Sequence, residues 1–149
     1  MKDRPDTPAE LKVRALRYLM RREHSRAELS RKLAPYADSP GTLQAVLEDL
    51  LQKKQLSDER YAEARAHWLS RKYGAARIRQ DLKAHGVAAA LADRVSGSGD
   101  LEKACAILAR KYREPASTRE EQAKRVRFLQ ARGFSHEVIR SALRFDEAD

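Results

Sequence analysis

The sequence lacks an apolar run approaching the roughly 20 residues that a transmembrane helix needs. Cys105 is the only cysteine, so an intrachain disulfide cannot form, and residues 1–10 contain no apolar stretch of the kind found in secretory signals. No alternating run of β-branched residues lasts even five positions, which argues against β-strands. Aromatic residues make up only 6% of the chain. These absences exclude a membrane-spanning protein and a disulfide scaffold, and we expect a cytoplasmic, all-α protein.

Positive charge, by contrast, is abundant and evenly spread. Charged residues make up 36% of the chain and the formal net charge is +9. Lys and Arg outnumber Asp and Glu in each of the segments 11–57, 58–98 and 99–149. The excess therefore belongs to the folded modules and not to a basic tail, and such a surface attracts polyanions.

The chain also repeats itself, with a period of about 47 to 49 residues. The stretch DLKAHGV, which begins at Asp81, returns as FLQARGF, which begins at Phe128, and in both a Leu precedes a Gly by four residues. A weaker first copy surrounds Leu33, and the tripeptide Arg-Lys-Tyr at 71–73 recurs at 110–112. Periods of this size indicate stacked supersecondary units, which present extended binding surfaces more often than catalytic pockets.

Helix-start signals divide the chain into nine helices. Capping boxes begin at Thr7, Ser25 and Thr118, and Asp100 is expected to cap the helix that follows it. The segment Ser-Gly-Ser-Gly at 96–99 predicts a flexible hinge. We therefore predict an all-α fold of three tandem trihelical, helix-turn-helix-like repeats in an elongated, slightly curved body. Residues 1–57 form an N-terminal arm helix and the first module, residues 58–98 the second, and residues 99–149 the third with an acidic C-terminal end.

The residues that carry catalysis in enzymes are scattered here. The four histidines have no metal-ligand spacing, and no glycine belongs to a phosphate-binding loop. Neighbouring carboxylates such as Glu48 and Asp49 diverge around a helix axis and do not converge on one point. The sequence therefore predicts no enzyme, no cofactor and no metal site.

The aromatic residues are expected mainly in the core, because they lie at helical spacing among apolar residues. This group comprises Tyr61, Trp68, Phe128, Phe134 and Phe145. Tyr73 and Tyr112 differ, since each follows an Arg-Lys pair at a predicted helix end. Each of these two tyrosines either stacks on a nucleic-acid base or fills the joint between two helices of its module.

The middle of the chain contains two distinctive stretches, LSDERYA at 56–62 and GAARIRQDLKAHGV at 74–87. They resemble the RecX family of bacterial recombination regulators, whose pattern at the second stretch is G-x-x-R-I-x-x-[DE]-L-x-x-x-G-[IV]. HSRAELSRKL at 24–33 resembles the first module of the family, and RKYREP at 110–115 with RFLQARGF at 127–134 resembles the third. Two positions depart from the pattern: Ala75 stands where many members have Pro, and Arg113 where relatives often have Gly.

The resemblance implies an inhibitor of the RecA recombinase. Members of the family bind the RecA–DNA filament in its helical groove, suppress ATP hydrolysis and strand exchange, and promote filament loss, so that recombination, DNA repair and the SOS response are modulated. The expected partner is therefore the RecA filament, with DNA contacted at least within it and no membrane. We expect a monomer, because the apolar stripes are used within the modules.

The repeated basic positions are the predicted contacts with the partner or with DNA. They are Arg71, Lys72, Arg77, Arg79, Lys83, Arg110, Lys111, Arg125 and Arg132. Arg125 and Arg132 are expected on one outer helix face. Two other functions remain open. One is a helix-turn-helix-like protein that binds duplex or single-stranded DNA directly and does not require RecA, and the other is a helical scaffold that binds only protein.

Overall fold

The structure is a computed structural model that describes residues 4–148, with the side chains of residues 145–148 left out. The described chain consists of helices joined by short loops, and none of these helices is long and apolar enough to cross a membrane. The α-helices are α1 (Pro8–Arg21), α2 (Arg26–Leu33), α3 (Pro40–Gln52), α4 (Asp58–Leu69), α5 (Ala75–Ala84), α6 (Ala89–Val95), α7 (Asp100–Lys111), α8 (Arg119–Ala131) and α9 (His136–Ala148). A short 3₁₀ helix, Ala34–Tyr36, follows α2.

The predicted capping residues begin several of these helices. Thr7 and Ser25 each accept a hydrogen bond from the backbone N–H three residues on, and the Glu at that position bonds back to the cap. The Thr118 side chain likewise accepts from the backbone N–H of Glu121 at the start of α8. Satisfying the free N–H groups of the first turn fixes where each helix begins.

The repeated Leu-x-x-x-Gly pattern forms the ends of α5 and α8. Gly86 and Gly133 adopt φ angles of +87° and +88°, a left-handed conformation that glycine adopts without strain. The next backbone N–H, from Val87 or Phe134, donates to the carbonyl four residues before the glycine, at 3.0 and 3.3 Å. This hydrogen-bonding pattern is the Schellman motif, so the sequence repeat is a repeated helix stop.

Three separate apolar cores lie along the chain, one for each group of three α-helices. The first includes Leu11, Leu33 and Leu47, so α1 packs within it. The second is built around Ile78 and Leu82, and the third around Leu129 with Ile139. The most extensive helix–helix contacts all lie within these groups. The predicted all-α fold of three tandem trihelical repeats is confirmed. Phe145 and the acidic end at 146–149, both named from the sequence, lie outside the described side chains.

Consecutive modules meet at two similar joints, in which a later module caps the middle helix of the earlier one. At the first joint, the Ser25 hydroxyl donates to the His85 carbonyl at 2.7 Å, and the Arg26 backbone N–H donates to the Asp58 carboxylate at 2.7 Å. Asp58 is the first residue of α4, and His85 lies in the turn that follows α5. The N-terminus of α2 is therefore covered by the second module.

The second joint repeats this arrangement one module further on. The Gly74 backbone N–H donates to the Arg132 carbonyl at 2.8 Å, and the Ala75 N–H lies 3.2 Å from both carboxylate oxygens of Asp100. The expectation that Asp100 caps its own helix is wrong, because its carboxylate faces the start of α5. Gly99 is the N-cap residue of α7.

Further contacts cross the second joint, where the sequence predicted a flexible hinge. Arg77 donates to the Ala131 carbonyl, and Arg110 donates to the carbonyl of Arg71. Ser96, the first residue of the linker, is buried and its hydroxyl donates to a carbonyl of α6. The second and third modules are thus connected by direct contacts and not by the linker alone.

Candidate partner-binding surface

Six of the nine predicted contact residues lie around the second joint. Arg71 and Lys72 follow α4, Arg77 is in the first turn of α5, and the remaining three end α7 and α8. We call this set the cationic junction; its members are Arg71, Lys72, Arg77, Arg110, Lys111 and Arg132. They converge because the joint brings the end of α4 and the start of α5 against the ends of α7 and α8.

Two aromatic rings support the side chains of the cationic junction. The guanidinium carbon of Arg77 lies 4.5 Å from the centroid of the Tyr73 ring, and that of Arg132 lies 5.4 Å from it. Arg132 also lies 5.0 Å from the Phe128 ring, where the Lys111 Nζ approaches to 4.2 Å. Tyr73 is half-buried and packs against the second core. This position agrees with the prediction that Tyr73 fills the space between two helices of its module. Cation–π contacts of this kind orient the charges without neutralising them.

The positive charge of the cationic junction is not balanced locally. Within the described part of the chain, none of its six residues has a carboxylate oxygen within 4.0 Å of its cationic nitrogens. The first module differs, since Arg14 pairs with Asp6 at 2.8 Å and Lys12 with Asp49 at 2.7 Å. The cationic junction therefore offers its charge to an external anion.

The other three predicted contacts are not part of the cationic junction. Arg79 forms an ion pair with Asp93 of α6 at 3.0 Å, and Lys83 is exposed near the end of α5. Arg125 is only 6% exposed, so its expected position on an outer face is wrong. Its guanidinium lies 4.3 Å from the Tyr112 ring and donates to the Glu114 carbonyl at 2.7 Å. Arg125 therefore holds the loop after α7 against α8.

Sequence reasoning missed Trp68, which lies beside the cationic junction. It was expected in the core, yet it is 60% exposed. On α4 it stands seven residues after Tyr61, at the edge of the apolar stripe. Tyr61 is buried, whereas Trp68 lines the same groove and stays exposed at its edge. Its position at the edge of the apolar stripe is the feature of the sequence that could have indicated its exposure.

Two titratable groups, Glu28 of the first module and Tyr61 of α4, line a groove near the first joint. Burial by itself would raise the pKa of Glu28, but the Arg22 guanidinium at 2.8 Å and the Ser25 N–H lower that pKa to about 2. Burial raises the pKa of Tyr61 to about 12. Glu28 is therefore ionised and paired at neutral pH, and Tyr61 keeps its proton, so neither group presents a free charge in this groove.

Two family models match the chain, and each covers one of its modules. The model of the second three-helix domain of RecX matches residues 57–95, and that of the third matches residues 99–143. The Regulatory protein RecX of Herbaspirillum seropedicae is 45% identical over 151 aligned residues, which cover 97% of this chain and 98% of that protein. The chain belongs to the RecX family. A second RecX, from Leptothrix cholodnii, is 44% identical over 90% of this chain and 87% of its own.

Solved RecX structures share the fold at lower identity. The crystal structure of RecX from Lactobacillus salivarius superposes with a TM-score of 0.82 over 95% of this chain and 97% of that one, at 22% identity. Another RecX crystal structure gives a TM-score of 0.72 over 95% of this chain and 75% of its own, at 20% identity. The row of three trihelical modules is therefore the fold of RecX, and the curated members of the family are regulatory proteins.

Proposed function

We propose that this chain inhibits the RecA recombinase by binding the RecA–DNA filament in its helical groove. Bound there, it suppresses ATP hydrolysis and strand exchange and promotes loss of the filament, and in this way it modulates recombination, DNA repair and the SOS response in the cytoplasm. It acts as a monomer by binding, without catalysis of its own. The proposal rests on membership of the RecX family.

One structural observation favours this function over a scaffold that binds only protein. The six residues of the cationic junction present unbalanced positive charge around the second joint. A filament of protein and DNA offers carboxylates and phosphates, and arginine binds either with two parallel hydrogen bonds. A scaffold that binds only protein would meet these charges with carboxylates alone, whereas the filament also offers phosphates.

The joints explain how three small modules act as one ligand. Because the middle helices of the first and second modules are each capped by the following module, contacts made by separate modules are held at fixed spacing. Linked contacts must be released together before the protein dissociates, which slows dissociation even when each contact is weak. The filament-bound state is then long-lived at low protein concentration.

The direct test is RecA ATPase activity on single-stranded DNA, titrated with this protein far below one molecule per RecA subunit. We expect a steep loss of activity when the protein is added to preformed filaments. A second series uses Arg71→Glu combined with Lys72→Glu, because neither side chain makes a hydrogen bond within the described protein and the fold should tolerate the change. This double variant should inhibit at least about tenfold less well, which corresponds to about 1.4 kcal/mol of binding free energy.

A matched control separates a local contact from the effect of net charge. Arg17→Glu combined with Arg140→Glu changes the net charge equally at two exposed positions, on α1 and α9. This control should inhibit nearly as well as the natural sequence. No inhibition by the natural protein, together with salt-sensitive binding to naked DNA, would instead support the direct DNA-binding function.

A further inference from the structure

Trp68 is the largest exposed apolar side chain in the described part of the protein. It is 60% exposed, and the other large apolar residues that are exposed are Val13 and Met20. Its indole lies near the Arg65 guanidinium, with 5.1 Å between the guanidinium carbon and the ring centroid. Tryptophan and arginine are the residues that most often carry the binding energy of protein–protein interfaces.

Two grooves meet at this tryptophan, one toward the start of α4 and one toward its end. The basic groove has a volume of about 380 Å³ and lies toward the cationic junction. The neutral groove has a volume of about 410 Å³ and lies toward the first joint. Arg65 and Trp68 line both, so a single ligand can occupy the two grooves across the indole.

The basic groove carries free positive charge. Its walls include Arg71, Lys72 and Arg77, which have no carboxylate partner within the described chain. Its one acidic residue, Asp81, is held by Arg65 through two hydrogen bonds of 3.0 Å. The groove therefore has a net positive charge and suits acidic side chains.

The neutral groove differs from the basic groove in carrying no free charge, because its acidic residues are already paired. Glu28 binds Arg22 at 2.8 Å, and Glu23 binds Arg60 at 2.9 Å. Ala64 and the buried Tyr61 add apolar surface beside Trp68. An apolar side chain fits here, whereas a phosphate would meet two carboxylates and no unpaired cation.

We infer that the paired grooves at Trp68 bind a segment of a partner protein in which acidic residues lie next to apolar ones. The acidic part occupies the basic groove and the apolar part lies against the indole in the neutral groove. A polynucleotide fits less well, because it carries a charge on every unit and only one groove is cationic. The inference goes beyond the proposed function, since it concerns a protein segment and does not depend on RecA inhibition.

The test uses the single tryptophan of the chain as its own probe. The full-length protein is titrated with a short synthetic peptide that lacks Trp, with Glu and Asp in its first half and Leu and Phe in its second. The Trp68 emission should shift to shorter wavelength as the indole loses water. A peptide of acidic residues alone, a peptide with Lys in place of the acidic half, and oligothymidylate should each bind at least about tenfold more weakly.

Variants of this protein test whether the peptide binds at the indole and in the basic groove. Anisotropy of the labelled peptide should show at least about tenfold weaker binding to Trp68→Ala and to the Arg71→Glu, Lys72→Glu double variant, with the Arg17→Glu, Arg140→Glu control unchanged. Binding of the peptide to Trp68→Ala with unchanged affinity, or a stronger response to oligothymidylate, overturns the inference, and so does the absence of any shift with the natural protein. These outcomes are independent of the ATPase test, because no RecA is present.

Discussion

Gly133 and Arg77 approach each other so closely that residue 133 has no room for a side chain. A Cβ atom built on Gly133 would lie 2.4 Å from the Arg77 Cβ and 2.9 Å from the Arg77 backbone nitrogen. The same relationship occurs at the first joint, where a Cβ on Gly86 would lie 2.3 Å from the Cβ of Ala27. Each glycine therefore serves twice, as the left-handed stop of a helix and as the contact surface of a joint.

Replacing Gly133 with Ala should destabilise the protein by on the order of 2 to 4 kcal/mol, because backbone strain at positive φ adds to steric overlap with α5. The measurement is chemical denaturation followed by circular dichroism. Gly97→Ala is the matched control, since Gly97 has a φ of +92° but its nearest neighbour is a lysine Nζ at 3.9 Å. The control should lose only about 1 to 2 kcal/mol. Equal losses of stability in the two variants would show that contact with α5 adds nothing to the cost of backbone strain at positive φ.

Asp100→Ala should loosen the second joint without unfolding either module. The backbone N–H of Ala75 loses its carboxylate acceptor, and the loss of a capping interaction typically costs about 1 kcal/mol. Hydrogen exchange should therefore accelerate at Ala75, while the amides within α9 stay protected. Asp38→Ala, at an exposed position in the first module, serves as the control. Unchanged exchange at Ala75 would mean that Asp100 does not hold the joint.

The modules could be predicted from the sequence, whereas the joints could not. Helical spacing and capping boxes such as Ser25 with Glu28 are local patterns, so they reveal where helices lie. The contacts of Gly74 with Arg132 and of Ala75 with Asp100 join residues far apart in the chain, and no local pattern specifies them. The repeated Arg-Lys-Tyr tripeptides did point to the cationic junction, although a repeat alone does not show that its two copies come together.

Acid should destabilise the protein through Glu28. The folded-state pKa of Glu28, about 2, lies below its ordinary value of 4.5, so its contribution to stability is complete above pH 4.5 and is lost as the pH falls toward 2. Glu28→Gln should cost on the order of 1 to 2 kcal/mol at neutral pH, allowing for partial solvent screening. Urea unfolding of both proteins across this pH range should show the difference shrinking as acid is added. A difference that does not change with pH would assign the effect of the mutation to packing.

Comparing stability with RecA inhibition should distinguish Arg125, which stabilises the fold, from the exposed basic residues predicted to contact the partner. Arg125→Met keeps much of the buried aliphatic volume but removes the hydrogen bond to the Glu114 carbonyl and the contact with Tyr112, so stability should fall by about 1 to 3 kcal/mol. RecA inhibition, measured well below the melting temperature of the variant, should remain near that of the natural protein, because this guanidinium is buried. Arg71→Glu with Lys72→Glu should show the reverse, with stability kept and inhibition reduced. An Arg125→Met protein that keeps its melting temperature but loses inhibition would instead assign Arg125 to the contact surface.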